Sequence, residues 1–249
     1  MTDEDRLYHD ADLARFYDID NGWADDLSYC RGLAEGCASL LDLGCGTGLF
    51  GATMAATIPR VVGVDPAQAM LDIAAARPGG DKARWVTADA RSVRLGETFD
   101  LIVMTGHAFQ VFLTRADRLA VLKTIALHLS PQGRFIFDSR NPELEEWREW
   151  TPALSERQFT HPQLGEMFAW NDVSHDPSTG IVTYQTHYRH LADDRTDSAS
   201  SQLAFASRAE IEELAGEGGL RVERWLGDWR GRAWTEDARE IIPVGRLAV

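Results

Sequence analysis

Between residues 38 and 139 short apolar runs alternate with stretches in which hydrophobic positions return every three or four residues. The two spacings mark strands and helices respectively. Ser39-Leu40-Leu41-Asp42-Leu43 predicts a buried strand that runs into Gly44, Gly46 and Gly48. Leu49 to Thr57 is alanine-rich and predicts a helix, and the β-branched run Arg60-Val61-Val62-Gly63-Val64 predicts a second strand. Pro66 sits where a first helical turn accepts proline, opening a helix over Ala67 to Arg77. Further strands are expected at Ala83 to Ala88, Phe99 to Met104 and Gly133 to Asp138. Between the last two, Leu119, Leu122, Ile125, Ala126 and Leu129 share one face of a helix from Arg115 to Leu129. Thr114 and Asp117 give that helix a capping-box-like start.

Past Asp138 the rhythm changes. Glu166 to His175 and Ile181 to His190 are β-like runs joined by the turn Asp176-Pro177-Ser178-Thr179-Gly180. Polar residues from Asp193 to Ser201 then separate them from a short run at Gln202 to Ala206. Ser207 and Glu210 cap a helix reaching Gly216, and Leu220 to Trp229 and Glu240 to Val249 predict two closing strands. The fold class expected is α/β: a doubly wound, mostly parallel seven-stranded sheet, last strand antiparallel, with an antiparallel β insertion after the fifth strand. Such sheets bind ligands at the carboxyl ends of their strands.

Charge narrows the partners. The chain of 249 residues carries 39 Asp and Glu against 25 Lys and Arg, a net charge of −14. Nucleic-acid affinity comes from cations on phosphates, so none is expected as a partner. Arg221, Arg224, Arg230 and Arg232 lie close in sequence and are read as solvated surface. No run of some 18 apolar residues spans a membrane. The acidic start and three cysteines (Cys30, Cys37, Cys45) without ligand spacing point to the cytoplasm. The histidines are scattered, so no metal is expected.

The strongest chemical signal is Asp42-Leu43-Gly44-Cys45-Gly46-Thr47-Gly48. Glycines let backbone turn tightly and approach a ligand. Gly46-x-Gly48-x-x-Gly51 also satisfies a dinucleotide fingerprint, with Asp65 at a suitable distance for a ribose. Asp42 weighs against that reading. A carboxylate at the tip of the first strand repels a pyrophosphate and attracts an ammonium or sulfonium, as in S-adenosylmethionine.

Leu41 to Gly48 resembles the first motif of class I (Rossmann-like) S-adenosylmethionine-dependent methyltransferases, of the small-molecule type. Asp65, closing Val61-Val62-Gly63-Val64-Asp65, stands as in their second motif, and Ala88-Asp89-Ala90 as in their third. Phe99 to Val103 and Leu129-Ser130-Pro131-Gln132-Gly133 are similar to the fourth strand and the turn before the fifth, with Gln132 where many members have glycine. The resemblance covers about residues 38–139. It implies S-adenosylmethionine as cofactor and S-adenosylhomocysteine as product. Asp42, Gly44, Cys45 and Gly46 would hold the methionine part. Asp65, with Pro66 beside it, would take the ribose hydroxyls. Asp89 and Ala90 would bind adenine, Met70 would either pack on it or belong to the core, and Thr105 would line the cleft. Cys45 is read as cofactor lining rather than a nucleophile.

On that basis residues 1–139 would form N-terminal cap helices and the cofactor-binding core. Residues 140–206 would form an acceptor-side insertion, and 207–249 the last helix and closing hairpin. Methyl transfer from a sulfonium is an in-line displacement that asks mainly for positioning. His107 is either a base or part of the pocket wall; Tyr17, with Tyr8, resembles the N-terminal segment that such enzymes fold over the cofactor. In Ile181 to Arg189 the polar positions Thr183, Gln185, His187 and Arg189 alternate with Val182, Tyr184 and Tyr188, so one face is wet, toward the pocket or solvent. The acceptor expected is an unidentified small molecule, and the oligomeric state is left open. Two alternatives stand: a non-catalytic protein that binds S-adenosylmethionine, or a nicotinamide-dependent oxidoreductase.

Overall fold

The computed structural model describes residues 11–248. Helices α1 (Ala11–Asp20) and α2 (Asp25–Leu33) lead into β1 (Ser39–Leu43), α3 (Leu49–Met54), β2 (Arg60–Asp65), α4 (Gln68–Ala76) and β3 (Arg84–Thr87). Then come β4 (Phe99–Met104), α5 (Arg115–His128), β5 (Leu129–Phe137), the two-residue β6 (Ser139–Arg140) and the short α6 (Pro152–Ser155). Strands β7 (Arg157–His161), β8 (Gly165–Asp176), β9 (Ile181–His190) and β10 (Thr196–Ala204) follow, and α7 (Arg208–Glu217), β11 (Leu220–Leu226) and β12 (Glu240–Leu247) close the chain.

The central sheet runs β11-β12-β5-β4-β1-β2-β3, with β6 pairing β12 at its end. Strands β1 to β5 are mutually parallel, whereas β12 pairs antiparallel with both β5 and β11. This is the doubly wound topology expected. Period-two alternation divides its side chains between two cores. Leu41, Leu43, Val62, Val64, Ile102 and Met104 pack with residues of α5 and α7 on one face. Leu40, Val61, Leu101 and Val103 pack with residues of α2 and α3 on the other. Both faces are covered, which is why these strands are nearly continuous hydrophobic runs.

A second, antiparallel sheet runs β10-β9-β8-β7. The β8–β9 turn is fixed by Asp176, whose carboxylate accepts from the Ser178 amide at 2.9 Å and from the hydroxyls of Ser178 and Thr179 at 2.6 and 2.8 Å. Gly180 supplies the left-handed residue there, φ 73°.

Several element bounds differ from expectation. The polar stretch from Asp193 is mostly strand: β10 pairs with β9 from Thr196 to Ala204. Its alternation is carried by the small buried residues Ala199 and Ser201 before the first large apolar one, Leu203. Strand β7 was not anticipated. β5 begins at Leu129, so the expected turn before Gly133 lies inside the strand. Helix α3 stops at Met54 instead of Thr57, and α4 starts at Gln68 with Ala67 as its N-cap, leaving Pro66 exposed ahead of it. Both expected caps form: Thr114 accepts from the Asp117 amide and Ser207 from that of Glu210. Arg221, Arg230 and Arg232 pair with Glu223, Asp25 and Asp228. None of the described helices is long and apolar enough to cross a membrane.

Candidate functional site

Parallel strands end together, so the loops after β1, β2, β3 and β4 share one edge of the sheet. The turn after β1 is held by the Val64 carbonyl, which accepts from the amides of Gly44 and Cys45 at 2.8 and 3.1 Å. Gly46 adopts φ 52°, a conformation that favours glycine. Its amide donates to Asp65 at 2.9 Å, and the other Asp65 oxygen accepts from Ala67 at 2.9 Å. Asp65 is thereby fixed at the tip of β2. Gly63 has a different reason to be glycine: a Cβ there would lie 2.4 Å from the Trp85 ring, which also comes within 2.6 Å of where a Cβ at Gly48 would stand.

Asp42 is 2% exposed and stands next to Asp65. Burial, then the Asp65 charge, pushes its carboxyl up to about 7, against one lowering contact from the Gly51 amide. Burial and these same two carboxylates push the Cys45 thiol pKa well up, which disfavours a thiolate there. Two buried carboxylates beside a glycine cradle fit a ligand with positive charge and vicinal hydroxyls. They oppose a pyrophosphate.

Asp89 follows β3 and accepts from the Arg91 amide at 2.8 Å and from the Arg91 guanidinium through both oxygens. Hydrogen bonding to Arg91 lowers its pKa. Arg91 also bonds Asp117 at 2.9 Å. The arginine was not anticipated, although it lies only two positions on. Ala90 is buried in the core cluster beside β2, and Met70 packs with Ala14 and Ala67.

Thr105 directly follows β4, and its carbonyl accepts from Ala108 at 3.4 Å. His107 takes φ 59°, left-handed and costly for a side chain with a Cβ. It is held there from both ends. Its amide donates to Asp138 Oδ1 at 2.9 Å, and its ring Nε2 meets both Glu240 oxygens at 3.0 and 3.1 Å. Nε2 also stands 3.6 Å from Asp138 Oδ2. Burial works to lower the His107 pKa, but Asp138 and Glu240 outweigh it and the pKa is raised. Asp138 is 1% exposed and pushed up to about 6, mainly by burial. Chain spacing concealed this group: His107, Asp138 and Glu240 each bring a donor atom within 4.8 Å of the others, as a metal centre would require.

Tyr17 bridges the loops. A Cβ at Gly46 would lie 3.5 Å from its ring, and one at Gly106 3.6 Å from its hydroxyl. Burial, Tyr184 and Asp65 raise its pKa, so the phenol stays neutral. Tyr8 lies outside the described residues. On β9 the packed face, not the wet one, is turned inward: Tyr188 stacks on Phe16, and Tyr184 stands near Trp150 and Tyr17. The opposite face carries exposed Gln185 and a His187 stacked on Trp170.

Residues 40–133 match a methyltransferase-domain family. The chain is an S-adenosylmethionine-dependent methyltransferase. The match covers the glycine turn, Asp42, Asp65, Asp89 and His107, the same edge on which the buried carboxylates converge. This methyltransferase is 28% identical to a cypemycin N-terminal methyltransferase of Streptomyces sp over 212 residues, 83% of this chain and 82% of that one. Its fold is similar to the CcbJ methyltransferase of Streptomyces caelestis, with a TM-score of 0.78, 20% identity and both chains covered completely. It is likewise similar to the sugar N-methyltransferase KedS8 of Streptoalloteichus sp, with a TM-score of 0.71, 18% identity, and 93% and 91% covered. A nicotinamide-dependent reaction is not favoured by any of these likenesses.

Proposed function

We propose that this methyltransferase transfers the methyl group to the nitrogen of a small, amine-bearing acceptor held between the loop edge of the central sheet and the inner face of β8–β10. The observation that carries the reading is His107, clamped between Asp138 and Glu240 beside the residue that meets Tyr17. The names of two relatives, an N-terminal methyltransferase and a sugar N-methyltransferase, support a nitrogen acceptor.

S-adenosylmethionine supplies a methyl already activated by its sulfonium. Asp42, Gly44, Cys45 and Gly46 would hold its methionine part, Asp65 and the backbone beside Pro66 its ribose, and Met70, Asp89 and Ala90 its adenine. Thr105 and Tyr17 would bound the space beside the transferred group. Residues 140–206 would act as the acceptor-side lid, closing Tyr184 over that space.

An amine is protonated near neutral pH and attacks only once its lone pair is free. Asp138 and Glu240 attract the ammonium; the Nε2–H of neutral His107 donates to Glu240, so Nδ1 of the same ring accepts the ammonium proton, and both carboxylates then hold the imidazolium. The raised His107 pKa makes it a stronger base, closer to an amine in proton affinity. The acidic charge balance and the free cysteines favour a cytoplasmic small-molecule enzyme.

The test is S-adenosylhomocysteine release over acceptors offered as matched pairs, each amine beside the alcohol of the same skeleton. Turnover confined to amines supports the reading. Equal turnover on alcohols removes it.

A further inference from the structure

Helix α1 touches the two halves of the protein with different side chains. Phe16, 1% exposed, stacks on Tyr188 at 4.2 Å and 10°, with the Phe159 ring 6.4 Å and the His161 ring 5.3 Å away. Those three partners belong to the second sheet. Ala14 packs instead with Ala67 and Met70 of the central domain, and Tyr17 lies across Gly46 and Gly106.

One residue fastens the helix to the glycine turn. Thr47 is 2% exposed, and its hydroxyl donates to Asp18 Oδ1 at 2.5 Å. The other Asp18 oxygen pairs with Arg77 at the end of α4. The Arg77 side chain is 15% exposed, its Nε is buried without a partner, and Asp18 is its carboxylate among the described residues. Without Asp18 a buried hydroxyl and a largely buried guanidinium both lose their partners, which favours release of the helix.

We propose that Asp18 latches α1 as a two-sided clasp, so that closure over the cofactor site and ordering of the second sheet are one event. Asp18 is a positioning residue: it acts through Thr47 and Tyr17. Packed aromatic clusters shift as units, so α1 carries β7 to β9 with it through Phe16. The clasp makes cofactor binding the step that shapes the acceptor side and makes S-adenosylhomocysteine slow to leave. This rests on the cofactor lying at the Gly44–Gly48 turn.

The test uses S-adenosylhomocysteine as probe on the full chain, with stopped-flow dissociation and hydrogen exchange. In the wild type the probe should protect amides of residues 165–176 and 181–190. Asp18→Ala should release it at least 10-fold faster and, even at saturation, lose that protection while amides near residues 44–48 stay protected. Thr47→Val removes the same bond from the other side at nearly constant volume and should change both readouts in the same direction. It carries the comparison if Asp18→Ala does not fold. Wild-type release rates in both variants, or protection of the second sheet that survives them, overturn the clasp. Failure of the wild type to bind the probe overturns the cofactor reading as well. Binding that protects only the central sheet overturns the clasp alone.

Discussion

Asp42 carries a cost in the cofactor-free protein that a cationic ligand relieves. Raising a buried carboxyl from 3.8 to about 7 corresponds to about 4 kcal/mol of folding free energy. The sign follows from the protonated form being favoured in the folded chain. The group's stabilising contribution is fully present below pH about 4, falls as pH rises, and is gone above about 7. Asp42→Asn removes the charge but keeps an oxygen to accept from the Gly51 amide. Burying the amide offsets part of the gain, leaving about 1–3 kcal/mol at pH 8, and roughly 2–4 °C per kcal/mol in a chain of this size. Thermal unfolding at pH 5.5 and pH 8, with and without S-adenosylmethionine, checks this. Without cofactor the variant should melt higher than the wild type at pH 8, and its advantage should shrink by about 2 kcal/mol at pH 5.5, where Asp42 is still largely protonated. It should also lose most of the cofactor-induced rise. In the wild type, cofactor affinity should strengthen from pH 5.5 to pH 8, since a cation selects ionised Asp42. A variant that melts lower at pH 8 while keeping the full cofactor response would refute the reasoning.

Other expectations follow from the same geometry. Asp65→Ala removes the acceptor for the Gly46 and Ala67 amides and should weaken S-adenosylmethionine binding by about 1–3 kcal/mol in calorimetry. His107→Gln should leave cofactor affinity nearly unchanged and lower kcat/KM. In the wild type kcat/KM should rise with pH through the raised His107 pKa, because only the neutral ring accepts a proton, and that limb should vanish in the variant. Since the His107 ring itself serves as base, treatment with EDTA should leave turnover intact, and restoration by a divalent cation after loss would assign His107, Asp138 and Glu240 to a metal. Gly63→Ala drives a methyl into the Trp85 ring and should cost about 1–3 kcal/mol of stability, read as the denaturant midpoint.

Features written in neighbouring residues were legible in the sequence. The glycine turn, the Asp at the tip of β2 and the caps of α5 and α7 depend on contacts a few positions apart, and the apolar runs of β1, β2 and β4 announce burial on both faces. The first part of strand β10 was hidden because Ala199 and Ser201 carry its buried positions. The His107 clamp was hidden for another reason. Asp138 and Glu240 lie 31 and 133 positions away, brought in by β4–β5 pairing and by the antiparallel return of β12. One signal was available: Asp138 directly follows β5 at the same edge where Asp65 ends β2. The Asp18–Thr47 bond spans 29 positions and joins helix α1 to the glycine turn, which share no pattern, so sequence periodicity had no access to it.

The central claim, methyl transfer to nitrogen with His107 as proton acceptor, is tested most directly by reaction with S-adenosylmethionine carrying a 13C methyl group. The carbon chemical shift of the product methyl then reports the atom that received it. An N-methyl signal that fades in His107→Gln, and returns in part at high pH, is the predicted result. An O- or C-methyl signal, or an N-methyl signal undiminished in that variant, would contradict it.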